Sequence, residues 1–554
     1  MSLAFVRVGL MAAAMLVAST SAALAETSAT PAPKTTVAQA SPSADSATAP
    51  LPTPNPLTLS GFFRSYYFTR QNATNNPGVQ STFVGSKCNG SGPCVNQASL
   101  NNAVLVRANY DLPYAGWYVG GSYFYAQPFN GPCSVAANHA KGLPCVSQAP
   151  PNTNPDDTLP GFAMSTFPET YVGFKNDKFA FTGGDFLFNS PWAGPFDGTR
   201  LKPVAYQGGD LSYLFDKSVT FEFADIVRFQ NRTSNSFTDN TLLTSYPAGG
   251  GGLASNIYIP GGRGVNTSGF QYYKVGFTPS NQPYTINGYA YNVTDLVNMY
   301  WGDARYTWTQ NQLKPYLALQ GGWESNTGAS YIGKIASSLI GLQGGVNVTK
   351  NVLVTAGFDS IPWHNDTINL PKGVTCSNSN YQISAKGATL GYFLPLNAAQ
   401  CFTNPNGTTN VYYGGWASPY TDNYATDPIF TTSISQGIVD RRAPGSSWKL
   451  AATFTSNNKR FVLLASDAWY NYGNTLAAEN TNEWNLDGSY RFSPVTKNRY
   501  HGLLLRYRYM QRSQSNTFCG AAGSSCSASA TLASTYLGGL PLFKYNRAQL
   551  EYDF

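Results

Sequence analysis

Arg506 and Arg508 stand two residues apart, with Leu503, Leu505, Tyr507 and Tyr509 in the opposite phase. In an extended chain that spacing puts both guanidiniums on one face, ~6.5–7 Å apart along the strand. A guanidinium binds a carboxylate through a planar two-donor fork and keeps its charge at any working pH. Arg491 and Arg547 fall in segments of the same kind. They extend the patch where neighbouring strands, ~4.8 Å away, align. Five more cations share the polar phase of their segments: Arg107, Arg228, Arg305, Lys314 and Lys449. The anions in that phase are Asp111, Glu222, Asp303, Asp487 and Glu551. Two readings follow. The arginines form a ladder for a passing anion, or each pairs with a carboxylate such as Asp487 or Glu551 and only hydrates the surface.

Other chemistry is thinly represented. Histidine occurs only as His139, His364 and His501, and no Ser/His/Asp spacing stands out. A nucleophile needs a base within hydrogen-bond reach, so an enzyme is not expected. Cys88 and Cys94 lack the two-residue spacing of a zinc site, and neither a metal nor a cofactor is expected. The eight cysteines fall in four sequence-near pairs: Cys88 with Cys94, Cys133 with Cys145, Cys376 with Cys401, and Cys519 with Cys526. Each pair lies in a stretch rich in Gly, Ser, Asn or Pro. Eight cysteines allow 105 connectivities, and nearest-neighbour disulfides, each stapling one loop, are the simplest expectation for an exported chain.

The composition says what kind of chain carries these residues. Of 554 residues only 11% are charged, while 14% are aromatic, with 36 Tyr and 32 Phe. Soluble proteins average roughly 25% charged residues. After residue 25 there is no apolar run of ~20 residues, which excludes a helical membrane protein. The aromatics exclude whole-chain disorder. A net charge of +7 without a basic cluster gives no reason to expect a nucleic acid partner.

Residues 1–25 read as a secretory signal, with Arg7 ahead of the apolar run from Val8 to Ala18 and a cleavage site near Ala25-Glu26. Residues 26–56, rich in Pro, Ala, Ser and Thr, read as a disordered periplasmic lead-in too short to form a plug. From Leu57 onward, segments of period-2 alternation repeat. In 484–492, Trp484, Leu486, Tyr490 and Phe492 oppose Asn485, Asp487, Ser489 and Arg491. In Leu542–Phe554, Ala548, Leu550, Tyr552 and Phe554 oppose Arg547, Gln549, Glu551 and Asp553. The pattern predicts eighteen strands: 57–70, 99–112, 116–129, 165–175, 178–188, 207–216, 218–230, 268–278, 283–294, 298–309, 312–324, 335–349, 351–362, 446–456, 460–471, 481–492, 500–511 and 542–554. Connectors alternate between tight turns, such as Asn176-Asp177 and Asp216-Lys217, and long segments such as 363–445. The expectation is an all-β, transmembrane antiparallel barrel. A closed barrel pairs every backbone polar group inside the bilayer, with short turns in the periplasm and long loops outside.

One stretch is more specific. The run Thr199-Arg200-Leu201, then Pro203, Tyr206 and Gly208, resembles the T-R-L-x-P-x-x-[FY]-x-G signature of the OprD-like substrate-selective porins of Gram-negative outer membranes. The strand count and the final segments GLLLRYRYMQR and NRAQLEYDF are similar to that family as well. The lead-in, the cysteine pairs and the long 363–445 segment depart from its best-known members. The resemblance implies passive, selective diffusion of small hydrophilic solutes bearing a carboxylate, such as amino acids or small organic and aromatic acids. It implies a basic ladder on the pore wall and a third loop that constricts the lumen. Asp197, Arg200, Lys202 and Tyr206 are then candidates for the eyelet, unless Arg200 and Pro203 only hold the loop against the wall. Implied partners are outer-membrane lipid, the solutes, and periplasmic chaperones with the barrel-assembly machinery. The chain is a monomer or a homotrimer on this reading. The alternatives are a sugar-selective or general porin, or an adhesin-type barrel whose long loops bind a partner.

Overall fold

The structure, a computed structural model, describes residues 56–72, 97–128, 163–194, 201–232, 234–239, 241, 267–280, 282–329, 335–368, 400–403, 405–421, 427–434, 437–441, 444–471, 481–493, 502–514 and 542–554. Its first strands are β1 (Leu57–Asn72), β2 (Gln97–Asp111), β3 (Trp117–Pro128), β4 (Met164–Lys175), β5 (Phe179–Phe186), β6 (Ala205–Leu214) and β7 (Val219–Gln230). Then come β8 (Phe270–Phe277), β9 (Tyr284–Val293), β10 (Val297–Thr307), β11 (Tyr316–Asn326), β12 (Ala336–Thr349) and β13 (Val352–Ile361). Three short strands follow, β14 (His364–Ile368), β15 (Gln400–Thr403) and β16 (Thr409–Tyr413). The last five are β17 (Gly445–Thr455), β18 (Phe461–Asn471), β19 (Thr481–Arg491), β20 (Gly502–Gln514) and β21 (Leu542–Asp553).

β1–β13 and β17–β21 form one 18-stranded antiparallel sheet. It closes because β1 pairs with β2 on one side and with β21 on the other, where Arg64 stands opposite Glu551. All eighteen expected strands are present. The tight turns form where side chains accept from the backbone, as Asx turns do. The Asn176 Oδ1 accepts from the amides of Lys178 (2.9 Å) and Phe179 (2.8 Å), and the Asp216 Oδ1 accepts from those of Ser218 and Val219. Gly184, at φ +124°, is obligatory, because a Cβ there would sit 2.4 Å from the Thr170 carbonyl oxygen.

The two faces of the sheet differ as the alternation predicts. On β1, Phe62, Arg64 and Tyr66 are buried inside, while Leu59, Phe63 and Tyr67 are exposed outside. On β20, Leu504, Arg506 and Arg508 point in, and Leu505 and Tyr507 point out. Aromatic pairs ring the outer wall at two levels. Trp117–Phe174 (5.3 Å), Phe277–Tyr284 (5.9 Å) and Tyr490–Phe492 (4.9 Å) lie near the short turns. Tyr123–Phe167 (5.2 Å), Tyr300–Trp323 (5.1 Å) and Trp484–Tyr509 (5.3 Å) lie farther along the strands. An outward apolar band between aromatic girdles is the signature of a barrel immersed in lipid.

Three expectations are corrected. β11 begins at Tyr316 rather than 312, so Lys314 sits in the preceding turn with a left-handed backbone (φ +42°). The alternation of long and short connectors fails where residues 294–296 join β9 to β10 at the long-loop end, and again where 492–501 at the short-turn end outruns 327–335 and 472–480 at the other. The 363–445 segment is more than a connector. It carries β14, β15 and β16 as a small separate sheet and a 3-10 turn at Ile438–Arg441. The Cys401 backbone lies in β15, whereas Cys88, Cys94, Cys133, Cys145, Cys376, Cys519 and Cys526 lie outside the described residues.

The outer band makes a direct prediction. Leu319, exposed on β11 between Leu317 and Trp323, tolerates isoleucine, but Leu319→Arg costs about 2–4 kcal/mol of stability in a bilayer. Urea unfolding in lipid vesicles measures the difference.

Candidate solute path

The arginines of the last strands converge on the inner wall. The Arg506 fork donates to both oxygens of Asp487, from Nε at 2.8 Å and Nη2 at 2.7 Å. The Arg508 Nε donates to the same carboxylate at 2.7 Å. Arg547 stands directly across from Arg508, its guanidinium 4.7 Å from the Tyr66 ring centre and donating to the Gln549 Oε1 at 3.1 Å. Two residues not foreseen from the sequence lengthen the row. Arg512 lies beyond Arg508 and pairs with Glu483 at 3.5 Å. Arg64 lies at the other end, ion-paired through Nε with Glu551 and stacked 4.1 Å over the Phe62 ring. Arg64, Glu551 and Leu504 form one rung across the strands, so the row runs the length of β20 from 504 to 512. At ~3.3 Å per residue that is about 26 Å.

The pairing with wall carboxylates is seen at Asp487 and Glu551, each of which holds arginines of the row. Arg506 and Arg508 both donate to the one Asp487 carboxylate, and Arg547 stands across from Arg508. The remaining candidates are scattered. Arg107 pairs with Glu169 (2.8 and 2.6 Å) on the neighbouring wall, and Arg491 with Asp553 at 3.6 Å. The Arg305 guanidinium lies 3.8 Å from the Tyr316 ring centre, and the Lys449 Nζ donates to the Thr432 carbonyl. Arg228 does not join the row. A register shift between Gln207 and Gly208 disturbs the phase of β7, and the Arg228 side chain is half-exposed and 3.5 Å from Asp239. Across the lumen the charge changes sign. Asp210, Glu222 and Asp303 face inward from β6, β7 and β10, with Lys274 at 3.1 Å from Glu222 and Asn287 at 2.8 Å from Asp303. Their middle strand, β8, is nine steps from β20 either way round the eighteen strands.

Two loops fill part of the space between these walls. Loop 3, residues 187–204, buries Phe188 and Trp192 against Tyr272, Tyr291 and Trp301 of the wall. The 362–444 loop enters as well. Trp416 packs 5.3 Å from Trp192 and 5.8 Å from Trp301, and Tyr420 lies 4.7 Å from Phe270. Wall side chains hold its backbone. The Glu324 carboxylate accepts from the Ala417 amide at 2.7 Å, the Asp359 carboxylate from the Thr431 amide at 2.8 Å, and the Tyr470 hydroxyl donates to the Thr431 carbonyl at 2.8 Å. Farther on, Leu201 of loop 3 and Ile434 of the longer loop join a second buried cluster with Phe62, Tyr66, Met510 and Tyr545, beside the arginines. The alternation placed the clearest aromatics on the lipid side; the inward aromatics of these clusters escaped it because loops, rather than water, cover them.

Of the four eyelet candidates, Asp197 and Arg200 lie outside the described residues. Lys202 and Tyr206 are fully buried between loop and wall. The Lys202 Nζ donates to the Pro203 carbonyl and to the Gln230 Oε1, both at 3.0 Å. Gln230 donates in turn to Thr166 at 2.7 Å, and Thr166 to the Asn235 carbonyl at 2.9 Å. Lys202 thus fastens loop 3 to β7, β4 and the next loop through neutral partners, and burial pushes its amine down to about 7.

No family model matches the chain and no curated protein matches it in sequence. Solved structures do. The Pseudomonas aeruginosa porin OccK9 (OpdG) is 12% identical with a TM-score of 0.57, over 90% of this chain and 98% of that one. The fold is that of a porin. OpdK of the same organism, solved with vanillate, is 10% identical with a TM-score of 0.54, over 90% and 98% of the two chains. OccK2 (OpdF), also from that organism and solved with glucuronate, is 11% identical with a TM-score of 0.55, over 90% and 96%.

Two outcomes follow from the site. Asp487→Asn removes the carboxylate that Arg506 and Arg508 share, and lowers the unfolding free energy by about 3–5 kcal/mol in denaturant titrations. For Lys202, the released loop binds more protons than the anchored loop between pH 7 and its ordinary value of 10.5. Anchoring therefore tightens as pH rises through that window, by at most about tenfold per pH unit, and is weakest and flat below 7. Single-channel current noise should fall from pH 7 to 9, and Lys202→Met should remove that dependence.

Proposed function

We propose that the chain is an outer-membrane porin that passes small hydrophilic solutes by passive diffusion and favours those with a carboxylate. The observation that carries this reading is the sharing of one carboxylate, Asp487, by Arg506 and Arg508, with Arg547 directly opposite Arg508. These guanidiniums are buried on the inner wall and held in fixed orientations, so a solute carboxylate reaching that level would meet donors already oriented by the wall. The arginine row, about 26 Å long, lets an anion pass from one guanidinium to the next. Loop 3, together with the 362–444 loop, narrows the passage beside it. The carboxylate ligands of OpdK and OccK2, vanillate and glucuronate, support the same chemistry here. The acidic wall opposite suits a solute that also carries an amine, such as an amino acid. On this reading residues 1–25 direct export, residues 26–56 lead into the barrel, and the turns at Asn176 and Asp216 face the periplasm.

Liposome swelling with amino acids, small carboxylates, aromatic acids and neutral sugars of matched size tests the proposal. Carboxylates should enter fastest. Arg506→Ala combined with Arg508→Ala should slow carboxylate entry roughly tenfold or more, since a hydrogen bond to a charged group contributes ~1.5–3 kcal/mol. Faster entry of neutral sugars would favour a sugar porin, and a very large unselective conductance would rule selectivity out.

A further inference from the structure

Arg305 stands apart from the arginine row, on β10, seven steps from β20 round the eighteen strands. It lies two residues before the end of its strand at Thr307, near the short turn that leads to β11. Its guanidinium is 3.8 Å from the Tyr316 ring centre, and the Tyr316 hydroxyl donates to the Gln343 Oε1 at 2.8 Å, which fixes the ring. Phe430 of the 362–444 loop packs against the same tyrosine, together with Ala318 and Leu353. Tyr316 and Leu353 are the first and second residues of β11 and β13 at their short-turn ends. The longer loop therefore carries Phe430 deep into the short-turn half of the lumen.

Phe430 is held on both sides. The Ile429 amide donates to Asp427 at 3.1 Å, and the Thr431 amide and carbonyl are taken by Asp359 and Tyr470. Gly357 lets the loop lie close to the wall, since a Cβ there would come 3.3 Å from the Phe430 Cβ. Tyr316 is buried, whereas Arg305 and Phe430, which cover it, are only half-buried. What the lumen meets here is a cation beside a phenyl ring, both on fixed supports. A guanidinium carries its five N–H donors in its plane, and stacking engages its face. Its donor edge is thus directed to take a carboxylate while the tyrosine contact stays. A neighbouring ring favours an acid whose own ring meets it offset or edge-to-face. We infer that Arg305, Tyr316 and Phe430 form a second anion subsite at the short-turn end of the lumen, and that Phe430 makes it select acids with an aromatic ring. The arginine row draws carboxylates in general; this subsite sorts them by the group attached. Several weak sites in series let a solute both enter and leave. The inference rests on the carboxylate-porin reading.

Benzoate and cyclohexanecarboxylate share a charge and a similar size, but only benzoate has an aromatic face. Single-channel chloride currents of the full barrel, with one acid added on one side, read how often and how long each acid interrupts the current. From the short-turn side, interruptions by benzoate should last severalfold longer than those by cyclohexanecarboxylate. Phe430→Leu keeps an apolar side chain and should bring the two acids to parity, whereas Phe430→Tyr keeps the ring and should keep the difference. Arg305→Met should make interruptions from the short-turn side severalfold rarer, while entry from the long-loop side is still governed by the arginine row. Equal residence of the two acids in the wild type overturns the subsite and leaves the porin reading standing. So does a benzoate preference that survives in Phe430→Leu, or an unchanged frequency in Arg305→Met. A barrel that admits neither acid overturns both.

Discussion

Pairing of the backbone is the constraint on which the rest depends. In a hydrocarbon environment every N–H and C=O needs a partner in the protein, and closure of β1 onto β21 supplies the last row of them. Once the sheet is closed, each strand has one face for lipid and one for the lumen. Charge is then excluded from half of every strand. The low charged fraction of the chain is a consequence of that geometry, and the charges that remain are concentrated where they can meet a solute or each other.

The same geometry explains what was legible in the sequence. Period-2 alternation in 484–492 and 542–554 marks strands because the two faces meet different environments, and β19 and β21 lie where it places them. The tight turns were legible because Asn176 and Asp216 carry their own acceptors. Arg64 was not legible, since Phe62 and Tyr66 face inward while Phe63 and Tyr67 face outward, so both phases around it are aromatic. Arg512 was missed because the alternation gave out at 511, whereas β20 continues to Gln514. Arg228 was misplaced because one register shift reverses the meaning of phase.

The candidate constriction shows the limit of a linear reading more sharply. Lys202 and Tyr206 belong to the motif that marks loop 3, and both side chains are buried in contacts that fasten the loop. Residue type predicts an eyelet cation; burial against β7 makes it an anchor. The 362–444 loop carries no alternation that would show it turning inward. Its course is set by wall carboxylates, Glu324 on β11 and Asp359 on β13, that accept backbone amides from distant residues. Such contacts join positions far apart in sequence.

The meeting of Trp192, Trp301 and Trp416 has a consequence of a different sort. Three indoles from loop 3, the barrel wall and the longer loop lie with ring centres 5.2, 5.3 and 5.8 Å apart. At such separations their excited states interact. The inward packing of both loops therefore carries its own optical label, a near-ultraviolet dichroic band that belongs to the assembled trio and to no tryptophan alone. Movement of either loop would dim that band while the β-sheet signal in the far ultraviolet stayed the same, so the interior of the barrel can be followed without adding a probe to it.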